Sequence, residues 1–181
     1  MLAIIAGVFF AADDQTVVVT IIPSMMTDLN VGVTELNKVS WTITGYLLGY
    51  VAVMPVMGRL SDIFGRRNIY VIGMVIFMLG SIGTAMTGSM YWLIDSETLR
   101  NSNFGNSLGL IVRTTSTIEW IVVTRIIQSI GAGALVPVSI AMVADIYPIG
   151  KRAMAFGLIG AAAEMGAVIG PVWGGLLTKL L

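Results

Sequence analysis

The stretch GLIGAAAEMGAVIGPVWGG, residues 157–175, decides the architecture of this chain, because it is an apolar helix marked by regularly spaced glycines. Gly166, Gly170 and Gly174 recur at every fourth position, so on a helix they form one stripe without side chains. Each glycine costs about 1 kcal/mol relative to alanine in a helix interior. We therefore expect a packing surface, a bend at the following proline, or both. Glu164 lies beside the stripe, and we expect its carboxylate to be buried.

The composition predicts an integral membrane protein. The 181 residues are 56% hydrophobic and 11% charged, whereas soluble domains carry about 25% charged residues. The formal net charge is +0, so we do not expect nucleic acid as a partner. Cys and His are both absent, which removes disulfides, thiolate ligands, the commonest general base and the commonest metal ligand. The sequence therefore predicts no enzyme, no catalytic residues and no metal site.

Five apolar windows reach the length of about 20 residues that a membrane-spanning helix needs. They lie at 2–22, 39–57, 69–88, 120–143 and 153–177. Short basic loops, Arg59–Asn68 and Tyr147–Arg152, follow the second and fourth windows and fall on one side if the helices alternate in direction. Short basic loops stay cytoplasmic, so the N-terminus is predicted to be cytoplasmic. Residues 89–119 are predicted to be extracellular, as an interfacial helix or a loose loop.

A second motif, GRLSDIFGRR, lies between the second and third windows. Its two glycines permit a tight turn and a close backbone approach. Asp62 and Arg66 are four residues apart and would face one another if this segment is helical. A basic loop alone would explain the arginines, but not the spacing of the glycines and the aspartate. The motif residues are Gly58, Asp62, Gly65, Arg66 and Arg67.

Four ionisable residues fall within the predicted spans: Asp13, Asp14, Arg125 and Glu164. Each costs about 2.5–3.5 kcal/mol at the centre of a membrane helix, so we expect a polar pathway between the helices. Asp14 and Glu164 lie roughly 16–20 Å from the cytoplasmic helix starts. Arg125 enters from the other side, and we expect it to meet Asp14 in a central cavity. Only one of the two adjacent aspartates is expected to face that cavity.

Each of these charges also has a second interpretation. Arg125 could snorkel outward to the membrane interface. The first helix could begin only after the two aspartates, leaving them in water. Glu164 could bind a proton or a substrate cation, or it could be a hydrogen-bonded structural carboxyl.

The motifs resemble those of the major facilitator superfamily. The 58–67 stretch matches the family's loop pattern Gly-x-Leu-x-Asp-x-x-Gly-Arg-Arg/Lys. The fourth window is similar to the family's arginine motif through Arg125, Gln128, Gly131 and Gly133, although Ser129 replaces a usual glycine. The glycine helix is similar to the antiporter motif, whose matching residues are Gly157, Gly166, Gly170, Pro171, Gly174 and Gly175.

The first window resembles the Leu-Asp-x-Thr signature of the fourteen-helix drug:proton antiporter branch. Asp14 and Thr16 match, while Asp13 stands in the place of leucine. This resemblance implies that residues 1–181 are an all-α, integral membrane, incomplete N-terminal bundle of five transmembrane helices. It implies multidrug efflux by alternating access, in a multi-pass protein of the cell membrane. The proton would be the coupling ion, without another cofactor.

The resemblance also implies partners and roles. The partners would be a small-molecule substrate, membrane lipid and a missing C-terminal half of the transporter. Proton coupling or substrate contact would involve Asp14, Arg125, Glu164 and Asp13. The loop motif would help to latch the two halves, with Asp145 as the acidic residue that communicates with it. The alternatives are a transporter of another solute, such as a metabolite, sugar or siderophore, and a five-helix membrane fragment without transport.

Overall fold

The computed structural model describes residues 1–28, 36–85 and 117–180, and within these ranges the chain forms five α-helices. They are α1 (Leu2–Asp28), α2 (Leu36–Phe64), α3 (Arg66–Ala85), α4 (Thr117–Ile146) and α5 (Ile149–Leu180). All five are long and apolar enough to cross a membrane. The predicted all-α membrane fold is therefore confirmed for the described ranges. The predicted extracellular segment 89–119 lies outside the described residues except at 117–119, where α4 begins.

The predicted loop Arg59–Asn68 was wrong, because most of it is helical. α2 continues to Phe64 and α3 begins at Arg66, so Gly65 alone connects them. Gly65 has φ +90°, a backbone conformation that residues with a side chain rarely adopt. The hydropathy windows ended at the first charges, whereas the helix continues past the apolar span.

α4 is the centre of one group of helices and packs against both α2 and α3. Its glycines allow this close approach. A Cβ at Gly133 would lie 2.7 Å from the Tyr50 carbonyl oxygen of α2. A Cβ at Gly131 would lie 2.7 Å from the Phe77 Cα of α3. α4 is apolar around most of its circumference, which is typical of a helix that is covered on several sides. Its fully buried apolar side chains are Ala132, Ala134, Leu135, Val138 and Val143.

The glycine stripe of α5 packs directly against the backbone of α1. A Cβ at Gly170 would lie 2.6 Å from the Asp13 carbonyl oxygen, and one at Gly174 would lie 3.1 Å from the Val17 carbonyl oxygen. The successive contacts pair Gly166 with Phe9, Gly170 with Asp13 and Gly174 with Val17. Both series rise by four residues, so α1 and α5 run parallel. The predicted packing surface is thus present, and α5 continues without interruption through Pro171.

The start of α1 lies beside the short connections between the other helices. The Tyr70 hydroxyl of α3 donates a hydrogen bond to the Ala3 carbonyl oxygen at 2.9 Å. Ile4 packs in a buried apolar cluster with Val143 of α4 and Ala155 of α5. The N-terminus, the α2–α3 connection and the α4–α5 connection therefore lie at the same end of the bundle.

Candidate functional site

Arg125 of α4 forms a buried ion pair with Asp14 of α1. The arginine side chain is 3% exposed, and its Nη1 lies 2.7 Å from Asp14 Oδ2. Nη1 also donates to Gln128 Oε1 at 2.8 Å. Gln128 Nε2 in turn donates to Asp14 Oδ1 at 2.9 Å. The three side chains form a closed triangle in which α4 supplies a donor to each carboxylate oxygen of Asp14.

The structure decides two of the alternatives that the sequence left open. α1 begins at Leu2, so both aspartates lie within the helix rather than before it. The guanidinium of Arg125 is directed to Asp14 inside the bundle and does not snorkel outward. The structure therefore brings Arg125 and Asp14 together as expected. Gln128 completes the set, and the sequence had marked it only as a motif match.

Tyr46 of α2 packs its ring against the guanidinium of Arg125. The Arg125 Cζ lies 4.4 Å from the centroid of the Tyr46 ring, a cation–π distance. The Tyr50 ring stacks on Tyr46 with centroids 6.2 Å apart. Tyr46 is fully buried, yet its hydroxyl has no hydrogen-bond partner in the described part of the chain. The aromatic face, rather than the hydroxyl, is what contacts the guanidinium. The role of Tyr46 was missed, because sequence spacing does not show which helix faces Arg125.

A cavity of about 370 Å³ lies between α1 and α3, next to this triangle. Asp13 lines it, and its buried Oδ1 atom has no hydrogen-bond partner among the described residues. Asp14 lines the same cavity, so the ion pair can be reached from it. The lining residues are Phe10, Asp13, Asp14 and Val17 of α1 with Met74, Phe77, Met78 and Ser81 of α3.

Glu164 lies elsewhere, and its expected burial was wrong. Its side chain is exposed on α5. The buried positions of α5 near it, Ala162 and Gly166, belong to the stripe that faces α1. Residues two positions apart on a helix point in nearly opposite directions, so Glu164 is turned away from α1. A role for Glu164 in proton or substrate binding stays a prediction.

A second charged cluster joins α2, α3 and α4 at the end where the short connections lie. Arg66 pairs with Asp62 at 3.3 Å and with Asp145 at 2.5 Å. It also donates a hydrogen bond to the Ala141 carbonyl oxygen. The predicted neighbours of Arg66 are therefore both in contact with it. Both carboxylates are more than half exposed, so each pair is worth about 0–1 kcal/mol. The cluster mainly fixes the relative positions of three helix ends.

The six residues of the glycine motif have different surroundings. Gly166, Gly170 and Gly174 contact α1 at backbone distance. Apart from its own helix turn, no atom in the described residues lies within 4 Å of a Cβ built at Gly157. Gly175 has only the Thr20 side chain near it, at 3.8 Å. Within the described residues, the motif therefore combines a tight packing stripe with an open glycine.

The chain is similar in sequence to known proteins. The family model of the Major Facilitator Superfamily matches residues 4–181. The chain is 38% identical over 176 residues to a triacylglyceride transporter of Mycolicibacterium smegmatis, covering 96% of the chain and 26% of that protein. It is 35% identical over 182 residues to a triacylglyceride transporter of Mycobacterium tuberculosis strain H37Rv, covering 99% of the chain and 30% of that protein. The chain thus spans less than a third of the length of these relatives.

Proposed function

This chain belongs to the major facilitator superfamily, and on that premise we propose that its full-length gene product couples proton movement to the export of lipophilic compounds. The family and the names of the relatives indicate a transporter rather than an enzyme. The five apolar helices indicate a multi-pass membrane protein. The single observation that carries the proposal is the buried Asp14–Arg125 pair beside a cavity. Such intramembrane charges generally mark substrate, ion or proton pathways.

The triangle offers a physical route for coupling. The ionised Asp14 accepts hydrogen bonds from Arg125 and Gln128, and these bonds join α1 to α4. A proton on Asp14 turns one acceptor oxygen into a donor and removes the negative charge that balances Arg125. The link between α1 and α4 is then weakened. α1 packs mainly with α5, whereas α4 packs mainly with α2 and α3, so protonation would bias the relative position of the two groups.

The substrate has two candidate classes. The motif resemblance favours lipophilic, often cationic drugs. The relatives' names favour a second candidate, a neutral glycerolipid such as a triacylglyceride. In either case we propose that the protein lies in the cell membrane with its N-terminus on the cytoplasmic side. We also propose that these five helices pack against the further helices of a longer transporter. In an alternating-access cycle, the cavity beside Asp14 would open to each face of the membrane in turn.

Everted membrane vesicles containing the full-length gene product test the coupling. An imposed pH gradient should drive uptake of a fluorescent lipophilic cation, and Asp14→Asn should abolish that component because asparagine cannot take up a proton. Glu164→Gln in the same assay tests the separate prediction for that carboxyl. Uptake of a radiolabelled triacylglyceride in parallel distinguishes the two substrate classes. Unchanged pH-driven uptake in Asp14→Asn, for both substrates, would refute the proposed coupling role.

A further inference from the structure

We propose that the face of α5 that carries Glu164 packs against a transmembrane helix outside residues 1–181, and that an arginine or lysine of that helix forms an ion pair with Glu164. This inference rests on the proposed function only in treating the gene product as a longer transporter. It goes further, because it names the surface, the depth and the charge of the contact. The ion pair does not require Glu164 to exchange protons with solvent.

Glu164 lies near the middle of a membrane span with its side chain uncovered. The apolar span of α5 runs from Ile149 to Leu176. Glu164 is therefore about 22 Å from one end of the span and about 18 Å from the other. Its side chain is exposed, and no basic side chain in the described ranges forms an ion pair with it. Carboxylates at this depth rarely face lipid and almost always meet a partner inside the protein, so we expect one here.

Small side chains predominate on the side of α5 around Glu164. Gly157 is seven residues from Glu164, close to two helical turns, and Gly160 is four residues from it. Apart from their own helix turns, no atom in the described residues lies within 4 Å of a Cβ built at either glycine. Small residues let transmembrane helices approach closely. The exposed residues that form this Glu164 face with the carboxylate are Ala153, Gly157, Gly160, Ala161, Val168 and Pro171.

Larger apolar side chains lie on a different side of α5. Leu158, Met165 and Val172 recur at every seventh position and are all exposed. They lie about 80–120° around the helix from Glu164, and their bulk suits contact with lipid tails. The side with Gly166 and Gly170 is already filled by α1. The Glu164 face is therefore the side of α5 left for a further helix.

The negative charge of Glu164 selects the kind of helix that covers this face. Within the described spans, Arg125 already pairs with Asp14. The chain covers only 26% and 30% of the two triacylglyceride transporters, so a gene product of similar length has most of its helices outside residues 1–181. A basic side chain on one of those helices would balance Glu164 where both are out of water. A second copy of the same face would instead bring two carboxylates together, which repel each other.

Photocross-linking in the full-length gene product identifies the occupant of the Glu164 face. The photoreactive residue p-benzoylphenylalanine replaces Val168, on this face, in one variant and Leu158, on the larger apolar side, in the matched control. Both are irradiated in membranes that contain a mixture of light and heavy isotope-labelled copies, and the cross-linked peptides are identified by mass spectrometry. We expect the Val168 variant to cross-link to one apolar segment of the same copy, outside residues 1–181, that contains an arginine or lysine. The Leu158 control should give at most about a fifth of that yield, because its side faces lipid.

A charge exchange then tests the ion pair itself. Glu164→Lys should lower the Tm of the purified full-length protein by roughly 5 °C or more, because two positive charges then face each other out of water. Replacing the identified arginine or lysine by glutamate in the same protein should recover most of that loss. Glu164→Gln removes the charge without reversing it, so its Tm should lie between those of the parent and Glu164→Lys.

Four results would overturn the proposal. Cross-links from Val168 to lipid, or no cross-links, would show that no helix covers the face. Cross-links between light and heavy copies would show that a second copy covers it. A cross-linked segment without arginine or lysine would remove the ion pair, and so would a charge exchange that recovers none of the lost Tm. Neither measurement depends on transport, so these results are independent of whether vesicles show proton-coupled export.

Discussion

The backbone-distance contact between α1 and α5 predicts a sharp difference between two glycines of the same helix. Gly170 of α5 lies against α1, where an added Cβ would be 2.6 Å from the Asp13 carbonyl oxygen and would also meet the Thr16 hydroxyl. Gly157 lies on the same helix, but apart from its own helix turn no atom in the described residues is within 4 Å of its added Cβ. The variants Gly170→Ala and Gly157→Ala therefore make the same chemical change in opposite surroundings.

The magnitude follows from these distances. A comfortable carbon–oxygen contact is about 3.3–3.6 Å, so α1 and α5 would have to separate by roughly 0.7–1 Å to admit the methyl group of Gly170→Ala. Overpacking of this kind typically costs about 1–3 kcal/mol. At Gly157 the methyl group meets no neighbour, and alanine is favoured over glycine in a helix by about 1 kcal/mol. Because both variants gain this helix preference, we expect them to differ in unfolding free energy by the overpacking cost, about 1–3 kcal/mol.

Thermal unfolding of the purified protein in detergent measures this difference. At this chain length each kcal/mol shifts the Tm by roughly 2–4 °C, so Gly170→Ala should unfold well below Gly157→Ala. Gly160→Ala is a second control, because its added Cβ also has no neighbour within 4 Å. Equal destabilisation by all three substitutions would refute the assignment of the stripe to α1. A neutral Gly170→Ala would show that α1 and α5 are not in backbone contact.

Three further substitutions test the other contacts. Tyr46→Leu removes the ring that packs against the guanidinium, so it should lower the unfolding free energy by about 2 kcal/mol and also lower drug–proton exchange. Tyr46→Phe should match the parent protein, because the hydroxyl has no partner in the described residues. Equal losses in the two variants would contradict this. Asp145→Asn should reduce stability by no more than about 1 kcal/mol, and added salt should shrink the difference, because the carboxylate paired with Arg66 is exposed. Gly65→Ala should destabilise the protein by roughly 1–2 kcal/mol because Gly65 has a φ of +90°. Gly58→Ala within α2 should be tolerated. A lower Tm for Gly58→Ala than for Gly65→Ala would refute the proposed turn at Gly65.

The sequence predicted the helices well because the bilayer imposes a simple rule. A span needs about 20 apolar residues, and the five windows with that length all became helices in the described ranges. Their ends were predicted less well, because hydropathy marks where the apolar stretch ends and not where the backbone stops being helical. Hence α2 passes through the charged motif and ends only at Phe64, before Gly65.

The candidate site was predicted in part. The sequence identified Arg125 and Asp14 as charges that need partners inside a membrane, and the structure pairs them. It placed Glu164 beside the glycine stripe and expected burial, but the side chain is exposed. Linear proximity to a buried stripe does not determine which way a side chain points around the helix.

By itself, the sequence determined that these helices lie in a membrane, that α5 carries a surface for close packing, and that charges within the span need a reason to be there. Only the tertiary structure decided which helix fills the glycine stripe and that Gln128 and Tyr46 also contact the arginine. Asp13 and Asp14 are neighbours in the chain, but they point about 100° apart around α1. The contact between the Asp13 backbone and Gly170 fixes the rotation of α1. That rotation turns Asp14 to Arg125 and leaves the Asp13 side chain at the groove beside α3.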